Sequence, residues 1–519
     1  MKVFKNATFI SCEDDNRVFS HMVEDQGRIL FAGDHLPHPY AGAETVDLEG
    51  RCVVPAFGDS HMHFTAFGFF NTGLDCRNAT DFDAFTDMVR RHISDNPQEK
   101  IVVGFGCSAH TVKEKRLPTR DDLDAITRQP LMIVKYDGHA AVGNSALLSK
   151  LPKAIIEETG CEPATGWLYH NAFYKAVNQV NKAVPLTRVF RNHTTASDYV
   201  ARKGIALIHA SEGIGFPLNM DLDMMRFVAR GLPVTIRVFF QTMDVAKAKR
   251  RKLPRIGGCF TTALDGCFGS EDAALNAPYT HRPDSHGMLT YTQQATTDFV
   301  KAAHRQGLQV ALHAIGDAAI EQALNAFEAA QVDFPRSDHR HILIHACMID
   351  PPLIEKAARL GVCFALQTPF FHWDQEPMSY LEQILGKRAQ RLTPLKSMLA
   401  QGLTLANGSD APCTLPDPIA GIHAACNHPN PDESISALEA LRMHTASCAK
   451  LSFDEKTRGT LTSGKRADFV VLDQDPLTMP THRLKEIQVE KLYREGTPYD
   501  GLHNSALTLL KDALINKYP

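Results

Sequence analysis

Short apolar runs separated by amphipathic stretches dominate the middle of the chain. After an opening run at 52–55, they occur at 101–105, 131–135, 205–209, 234–239, 259–264, 308–313, 341–345, 362–366 and 403–407. Apolar residues recur at helical spacing between them, most clearly at 296–305 and 318–330. We assign Gly307 to the end of the first of these helices and His304 to its surface. Strands that alternate with helices predict an α/β fold with parallel strands.

The number of runs bears on the architecture. A (β/α)8 TIM-like barrel can hold a long chain in one domain, but it has places for eight strands. The ten runs are therefore two too many. We expect two accessory strands in an insertion at about 65–200, within a barrel domain that covers 52–450.

Both ends of the chain have a different pattern, in which apolar and polar residues alternate over short runs that are broken by turn residues. The first 51 residues are too few to bury a core alone, and the segment 451–519 has the same pattern. We predict one small β-sandwich domain built from both ends. An independent N-terminal domain is the weaker alternative, and 507–518 is predicted to be a short amphipathic helix that packs on a neighbour.

Composition narrows the function classes. Apolar residues make up 44% of the 519 residues, charged residues 22%, and the net charge is −4, so nothing indicates a nucleic-acid or acidic-membrane partner. The 12 cysteines include no CxxC pair, and we find neither a signal peptide nor an apolar run long enough to span a membrane. We expect a cytoplasmic protein that acts on a small molecule, and a homo-oligomer remains open.

Candidate metal ligands follow several of the apolar runs. His61 and His63 are two residues apart, and side chains at that spacing share one face of a strand. His313, His345 and Asp410 also stand at strand ends, where barrel enzymes carry their reactive groups. Each residue alone has a structural explanation as a buried polar group or a surface histidine. Together they favour a divalent metal site.

The chain resembles the amidohydrolase superfamily, in its branch of YtcJ-like metal-dependent hydrolases. The resemblance covers nearly the whole chain. It rests on the following segments: Pro55-Ala-Phe-Gly-Asp-Ser-His61-Met-His63, Asp137-Gly-His139, Leu264-Asp265-Gly, Leu312-His313-Ala-Ile-Gly-Asp317, Arg340-His-Ile-Leu-Ile-His345, Gly408-Ser-Asp410-Ala-Pro and Gly464-Lys465-Arg-Ala-Asp468-Phe. It implies a barrel with a β-sandwich. It also implies that His61, His63, His313, His345 and Asp410 are metal ligands, with Asp410 also the general base.

One departure from the family pattern concerns the number of metal ions. Many relatives carry a lysine four residues before the Asp-Gly that is Asp265-Gly266 here, and this lysine, once carboxylated, bridges two metals. By spacing, that position is Thr261. Either the site holds one ion, which we favour, or Cys259, Asp265 or Lys135 replaces the lysine. Zinc is the expected metal, although histidine and aspartate also accept manganese or iron.

Other residues are candidates for the substrate site. His139 follows an Asp-Gly turn and suits a fixed hydrogen-bond donor to the developing oxyanion, although it could equally stabilise its loop. Phe370 and Trp373 lie in an aromatic segment after a strand, and His209 ends another strand. We assign these three to the cavity wall, with packing at the barrel rim as the alternative for the aromatic pair.

The leading hypothesis is a metal-dependent hydrolase that opens a C–N bond, in an amide or cyclic amide, with metal-activated water and Asp410 as base. A first rival is other chemistry on the same metal site, such as ester hydrolysis, deamination or decarboxylation. A second is a binding protein that has lost catalysis. The substrate cannot be read from the fold.

Overall fold

The computed structural model describes residues 1–501 and 505–515. Its strands are, in chain order, β1 (Lys2–Ile10), β2 (Val18–Phe19), β3 (His21–Asp25), β4 (Arg28–Gly33), β5 (Glu44–Pro55), β6 (Phe57–Met62), β7 (Leu74–Asp75), β8 (Val102–Cys107), β9 (Leu131–Lys135), β10 (Ala140–Gly143), β11 (Cys161–Glu162), β12 (Trp167–Tyr169), β13 (Ile205–Glu212), β14 (Thr235–Phe240), β15 (Arg255–Ala263), β16 (Gln309–Ala314), β17 (Ile342–His345), β18 (Cys363–Leu366), β19 (Thr404–Asn407), β20 (Phe469–Leu472), β21 (Val489–Arg494) and β22 (Thr497–Pro498).

The α-helices are α1 (Phe64–Asn71), α2 (Phe82–Asp95), α3 (Arg120–Ile126), α4 (Ser145–Leu148), α5 (Lys153–Ile156), α6 (His170–Asn181), α7 (Leu186–Arg202), α8 (Met220–Val228), α9 (Val245–Arg250), α10 (Gln293–Arg305), α11 (Asp317–Asp333), α12 (Pro351–Leu360), α13 (Met378–Leu385), α14 (Leu395–Ala400), α15 (Pro418–Cys426), α16 (Ala437–His444), α17 (Ala446–Leu451) and α18 (Ala506–Leu514). The two helices predicted from their spacing are α10 and α11. None of the helices within the described ranges combines the length and apolar composition that crossing a bilayer requires.

Eight parallel strands form a nearly closed barrel, as predicted. Their order around the sheet is β6, β13, β14, β15, β16, β17, β18 and β19, which is also their order along the chain. Helices α8 to α12 connect successive strands from β13 to β18, and apolar residues from strands and helices form one large buried cluster. The carboxyl ends of all eight strands therefore open on the same side of the domain.

Two of the ten runs, β8 and β9, lie in the predicted insertion and not in the barrel. They are central strands of a separate sheet in the order β11, β12, β10, β9, β8, β7. Apolar side chains on its two faces belong to two clusters distinct from the barrel core. Helix α6, from the same insertion, packs in the second of these clusters.

The two ends of the chain meet in a third sheet. Strand β5 pairs with β1 on one side and with the C-terminal strand β20 on the other, and Phe4 packs edge-on against Phe469 at 5.0 Å between ring centroids. The apolar run at 52–55 belongs to β5 in this sheet, so the barrel begins only with β6. The sandwich form and the domain limits remain predictions. Helix α18 occupies most of the predicted tail helix, and 516–519 lie outside the described residues.

The assignment of His304 to a helix surface is wrong. Its side chain is fully buried and forms a hydrogen-bonded chain with a second histidine, in which the Nδ1 of His304 lies 2.8 Å from the Nε2 of His341. The N–H of Val310 donates to the Nδ1 of His341, so the proton of the neutral His341 ring is on Nε2. His304 in turn reaches the carbonyl of Phe334. These two polar rings can lie in the core because each of their ring nitrogens has a hydrogen-bond partner.

We expect acid to weaken this fold through His341. Burial first, and then the neighbouring His339 and His304, hold the pKa of His341 well below its usual value of 6.5. The unfolded chain therefore takes up a proton near pH 6.5 that the folded chain refuses, and stability falls as the pH drops below that value. His341→Asn, which keeps an acceptor for Val310, should give a shallower loss between pH 7 and pH 5 in urea unfolding. An unchanged slope would contradict this role.

Candidate metal centre

The predicted ligands converge at the open end of the barrel. His61 lies near the end of β6, and His63 is the residue before α1. His313 and His345 lie at the ends of the neighbouring strands β16 and β17, and Asp410 follows β19. All five side chains are buried.

Backbone contacts across the seam between β6 and β19 fix three of these residues. The N–H of Asp410 donates to the carbonyl of His61 at 2.9 Å, and the N–H of His63 donates to the carbonyl of Ala411 at 2.8 Å. Gly408 makes this approach possible, since a Cβ there would lie 2.5 Å from the nitrogen of His61. Asp410 itself has φ 53°, in the left-handed region that side chains rarely adopt. The seam therefore imposes the direction in which the carboxylate points.

Several nitrogen and oxygen atoms that could bind a metal lie close together without forming ordinary hydrogen bonds. The Nε2 atoms of His61 and His63 lie 3.1 and 3.4 Å from Oδ1 of Asp410, yet within the described part of the chain that oxygen has no hydrogen bond of acceptable geometry. The Nδ1 of His313 is likewise buried without a partner among those residues. Buried polar atoms rarely stay unpaired, and imidazole nitrogen with carboxylate oxygen is a ligand set that suits a divalent metal.

Cys259 joins these donors into two groups. One group is His61, His63, Cys259 and Asp410, and the other is Cys259, His313 and His345, with the ligand atoms of each group within 4.8 Å of one another. The sulfur of Cys259 lies 3.2 Å from Nε2 of His61 and 3.7 Å from Nε2 of His345. A cysteine sulfur is a good zinc ligand once it has lost its proton, and the sulfur of Cys259 belongs to both groups.

The structure places Thr261, the residue at the lysine position by spacing, away from the two donor groups. Adjacent residues of β16 pair with Gly258 and Ala263, so residues 259–262 bulge out of β15. Thr261 is exposed on this bulge, while Cys259 points into the barrel. Counting back from Asp265 assumes a regular strand, and the bulge breaks that assumption. The pair Gly257 and Gly258, both with positive φ, was the signal in the sequence that could have indicated it.

The other two proposed replacements for the lysine lie elsewhere. Lys135 forms a buried ion pair of 2.7 Å with Asp137, whose second oxygen accepts the backbone N–H of His139. Asp265 accepts backbone N–H groups of Ile315 and Gly316 and lies 3.6 Å from Nε2 of His313. Both residues therefore support the loops around the centre.

Hydrogen bonds behind the ligands orient two of the imidazoles. The Nε2 of His313 donates to the carbonyl of Gly266 at 3.0 Å, which leaves Nδ1 as the free lone pair. The Nδ1 of His345 donates to Oε1 of Gln367 at 2.6 Å, which leaves Nε2 facing Cys259. Partners of this kind fix the tautomer of a metal-binding histidine. Gln367 was not singled out from the sequence as such a partner.

The protonation states also suit metal binding. Burial lowers the pKa of His345 to about 4 and that of His313 well below its usual value, so both rings are neutral at pH 7. Burial alone would raise the pKa of Asp410, but its contacts with His61 and His63 hold it well below the ordinary range. Neutral imidazoles and an ionised carboxylate are the forms that bind a metal.

A cavity with two lobes opens from this centre. The larger lobe, about 140 Å³, is walled by Phe69, Phe70, Phe105, Phe173, Tyr174 and Phe260, and the smaller lobe, about 70 Å³, by Phe268, Phe370, Phe371 and Trp373. His139, His313, His345 and Asp410 line both lobes. Phe173 and Tyr174 belong to α6, so the insertion contributes part of the wall of the larger lobe. The structure thus brings His139, Phe370 and Trp373 to the cavity.

His209 has a different place from the one expected. It lies in the middle of β13, beside the ring of Phe239 at 6.0 Å, and it is not among the residues that line either lobe. Ser211, two residues further along the strand, reaches Nδ1 of His61 at 3.4 Å. Alternate residues share the inward face of a strand. His209 therefore shares the inward face of β13 with Ser211 but lies deeper in the barrel than the cavity.

Comparisons with known proteins agree with this architecture. A model described as "Amidohydrolase family" matches residues 44–499. The chain belongs to the amidohydrolase family. It is 28% identical to YtcJ of Bacillus subtilis, over 96% of this chain and 99% of that protein. It is 26% identical to the N-substituted formamide deformylase of Arthrobacter pascens, over 95% of this chain and 96% of that enzyme.

A solved structure extends the agreement to the fold. An uncharacterised metal-dependent hydrolase of Pyrococcus furiosus superposes with a TM-score of 0.74 and 26% identity, covering 92% of this amidohydrolase chain and all of its own. The family and this relative support metal-dependent hydrolysis as the general activity. The ligand-rich centre lies where barrel enzymes of many chemistries place their active sites.

Proposed function

We propose that this amidohydrolase cleaves a C–N bond, in an amide or cyclic amide, with Asp410 as the general base. The observation that supports it most is the buried Oδ1 of Asp410, which faces the imidazoles of His61 and His63 and finds no hydrogen bond of acceptable geometry among residues 1–501 and 505–515. A base held ionised at the wall of a cavity can accept a proton from water and return it to a leaving nitrogen.

We propose zinc as the metal and two ions as the number. The sequence favoured one ion because no lysine bridges the ligands, but Cys259 lies between both donor groups and could act as that bridge. Burial raises the pKa of the Cys259 thiol well above its usual value, so the thiol must lose its proton as the site is filled. When bound, the metal supplies a Lewis acid and an activated water.

The remaining groups position the substrate. His139 lines both lobes, and its ring lies 5.9 Å from that of His313. We assign to it a hydrogen bond to the oxygen of the scissile carbonyl, where negative charge develops. Phe370 and Trp373 stack on each other at 4.6 Å and form an apolar wall beside His345, which suits one side of a hydrophobic amide.

An amide is favoured over an ester or an amine-bearing ring because of one relative. The enzyme from Arthrobacter pascens is named for N-substituted formamides and matches 95% of this chain. Esterase, deaminase and decarboxylase activities use the same kind of metal site, so they form the second candidate class.

We expect a matched substrate series to separate these classes. The zinc-loaded protein should hydrolyse N-alkyl formamides and cyclic amides, whereas protein stripped with a chelator should not. The matched alkyl formate esters control for general carbonyl reactivity. Hydrolysis of the esters alone, or equal amide hydrolysis by metal-free protein, would contradict the proposal.

A further inference from the structure

The two lobes of the cavity meet at the metal centre and then diverge. Within the described ranges, the residues that line both lobes are Asp137, His139, His313, His345, Asp410 and Cys413. Beyond these residues the walls come from different parts of the chain. Helices α1 and α6 and the insertion sheet contribute to the larger lobe, whereas the loops after β15 and β18 and helix α13 contribute to the smaller one. A ligand whose reacting bond lies at the centre can therefore extend into both lobes.

Apolar side chains form most of the wall of each lobe. The larger lobe has Val103 and Met132 in its wall beside the aromatic residues, and the smaller lobe has Met378 and Leu381 beside its own. Walls of this kind bind a ligand by removing its apolar surface from water. Each lobe is therefore suited to an apolar group.

Beyond the metal centre, the lobes offer no cation to a substrate. Among the described residues, neither lobe is lined by a lysine or an arginine. The histidines in the outer walls are neutral at pH 7, because burial lowers the pKa of His193 to about 4 and also lowers that of His428. Acids in these walls include Glu212 and Asp221 in the larger lobe and Glu376 in the smaller one. A carboxylate on the substrate would therefore be buried without a counter-charge, which is costly.

We infer that the substrate of this site is a non-acidic amide with an apolar group on each side of the scissile bond, one for each lobe. The inference rests on the proposed function, because it places the scissile carbonyl at the metal centre, where the lobes meet. The lobes have volumes of about 140 and about 70 Å³, so the larger group, such as an aromatic ring, belongs in the larger lobe and a short chain in the smaller. A formamide, whose acyl side is a hydrogen atom, would leave one lobe unfilled.

Ketones of the same shape test both groups without turnover, since a methylene replaces the amide nitrogen. 1-Phenylheptan-4-one carries a phenyl arm and a propyl arm, 5-phenylpentan-2-one shortens the propyl arm to methyl, and heptan-4-one lacks the ring. Calorimetric titration of the zinc-loaded protein should give the first ketone a Kd at least about tenfold lower than either of the others, because each change removes apolar surface that a lobe would bury.

Each lobe should respond to one arm only. Met378→Ala widens the smaller lobe and should reduce the gain from the propyl arm while sparing the gain from the ring. Phe70→Ala, in the larger lobe, should do the opposite. Both side chains are only partly buried, so we expect the fold to tolerate their loss. Met288→Ala, at an exposed methionine that lines neither lobe, should change neither gain.

Hydrolysis tests the exclusion of acids. N-butanoylphenylalanine and N-butanoylphenylalaninamide have nearly the same size, but only the first carries a carboxylate. We expect kcat/KM for hydrolysis of the butanoyl amide bond to be at least about 100-fold lower for the acid, because its charge would be buried without a partner.

Equal binding of the three ketones by the unaltered protein would overturn the inference, and this measurement does not depend on whether a variant folds. Two lobe variants that weaken the same arm, or hydrolysis of the acid as fast as of its amide, would also overturn it. Ketone binding with both preferences by a protein that hydrolyses no amide would leave the two-lobed binding mode standing and refute the proposed reaction. Amide hydrolysis without either preference would do the reverse.

Discussion

Replacing Asp410 by Asn is expected to lower kcat for amide hydrolysis by about 1,000-fold. The substitution keeps the size of the side chain but removes the basic oxygen that faces His61 and His63 at 3.1 and 3.4 Å. An amide nitrogen or oxygen cannot accept the proton of the attacking water at neutral pH. Steady-state kinetics on the best formamide substrate measure the effect, with zinc content determined on the same samples.

The matched control for this substitution is Asp374→Asn. Asp374 is an exposed carboxylate in the loop that follows Phe370 and Trp373, and it should keep normal activity. Loss of less than about tenfold in kcat for Asp410→Asn would show that another group acts as the base. Loss of zinc together with activity would assign Asp410 chiefly to metal binding.

Replacing Cys259 by Ala is expected to halve the bound zinc and to lower kcat/KM by at least about 100-fold. Substitution of groups that only support metal ligands costs about 10–100-fold, and Cys259 lies 3.2 Å from His61 and 3.7 Å from His345 as a shared donor. Without its sulfur, the group with His313 and His345 retains two protein donors, which is fewer than zinc sites normally use. Elemental analysis after dialysis measures the zinc content.

Cys363→Ala is the control for loss of a buried thiol in the barrel. Cys363 starts β18 and is 4% exposed, and it belongs to neither donor group. Its removal should leave the zinc content unchanged. Two zinc ions per chain and full activity in Cys259→Ala would show that Cys259 does not bridge the two donor groups.

Much of the barrel could be predicted because parallel strands in this position are buried on both faces and read as continuous apolar runs. The same logic placed His313 and His345 at strand ends, since a polar residue that closes an apolar run stands at the open end of the barrel. It also predicted two surplus strands in the insertion. The run at 52–55 was assigned to the wrong sheet, because β5 and β6 are separated by Ala56 alone.

The parts that could not be predicted depend on distances between strands. A bulge in β15 turned Cys259 inward and Thr261 outward, and no spacing rule for a regular strand contains that information. His209 shares the inward face with Ser211, but periodicity gives the face and not the depth. Tyr174 reaches the larger lobe from α6 of the insertion, a contact set by how two separate sheets pack.

The most direct test of the metal centre is anomalous X-ray diffraction at the zinc edge on crystals of the zinc-loaded protein. The account predicts two anomalous peaks on either side of the Cys259 sulfur. One should lie among His61, His63 and Asp410, and the other beside His313 and His345. A protein that hydrolyses amides while these positions show no anomalous density would contradict the account.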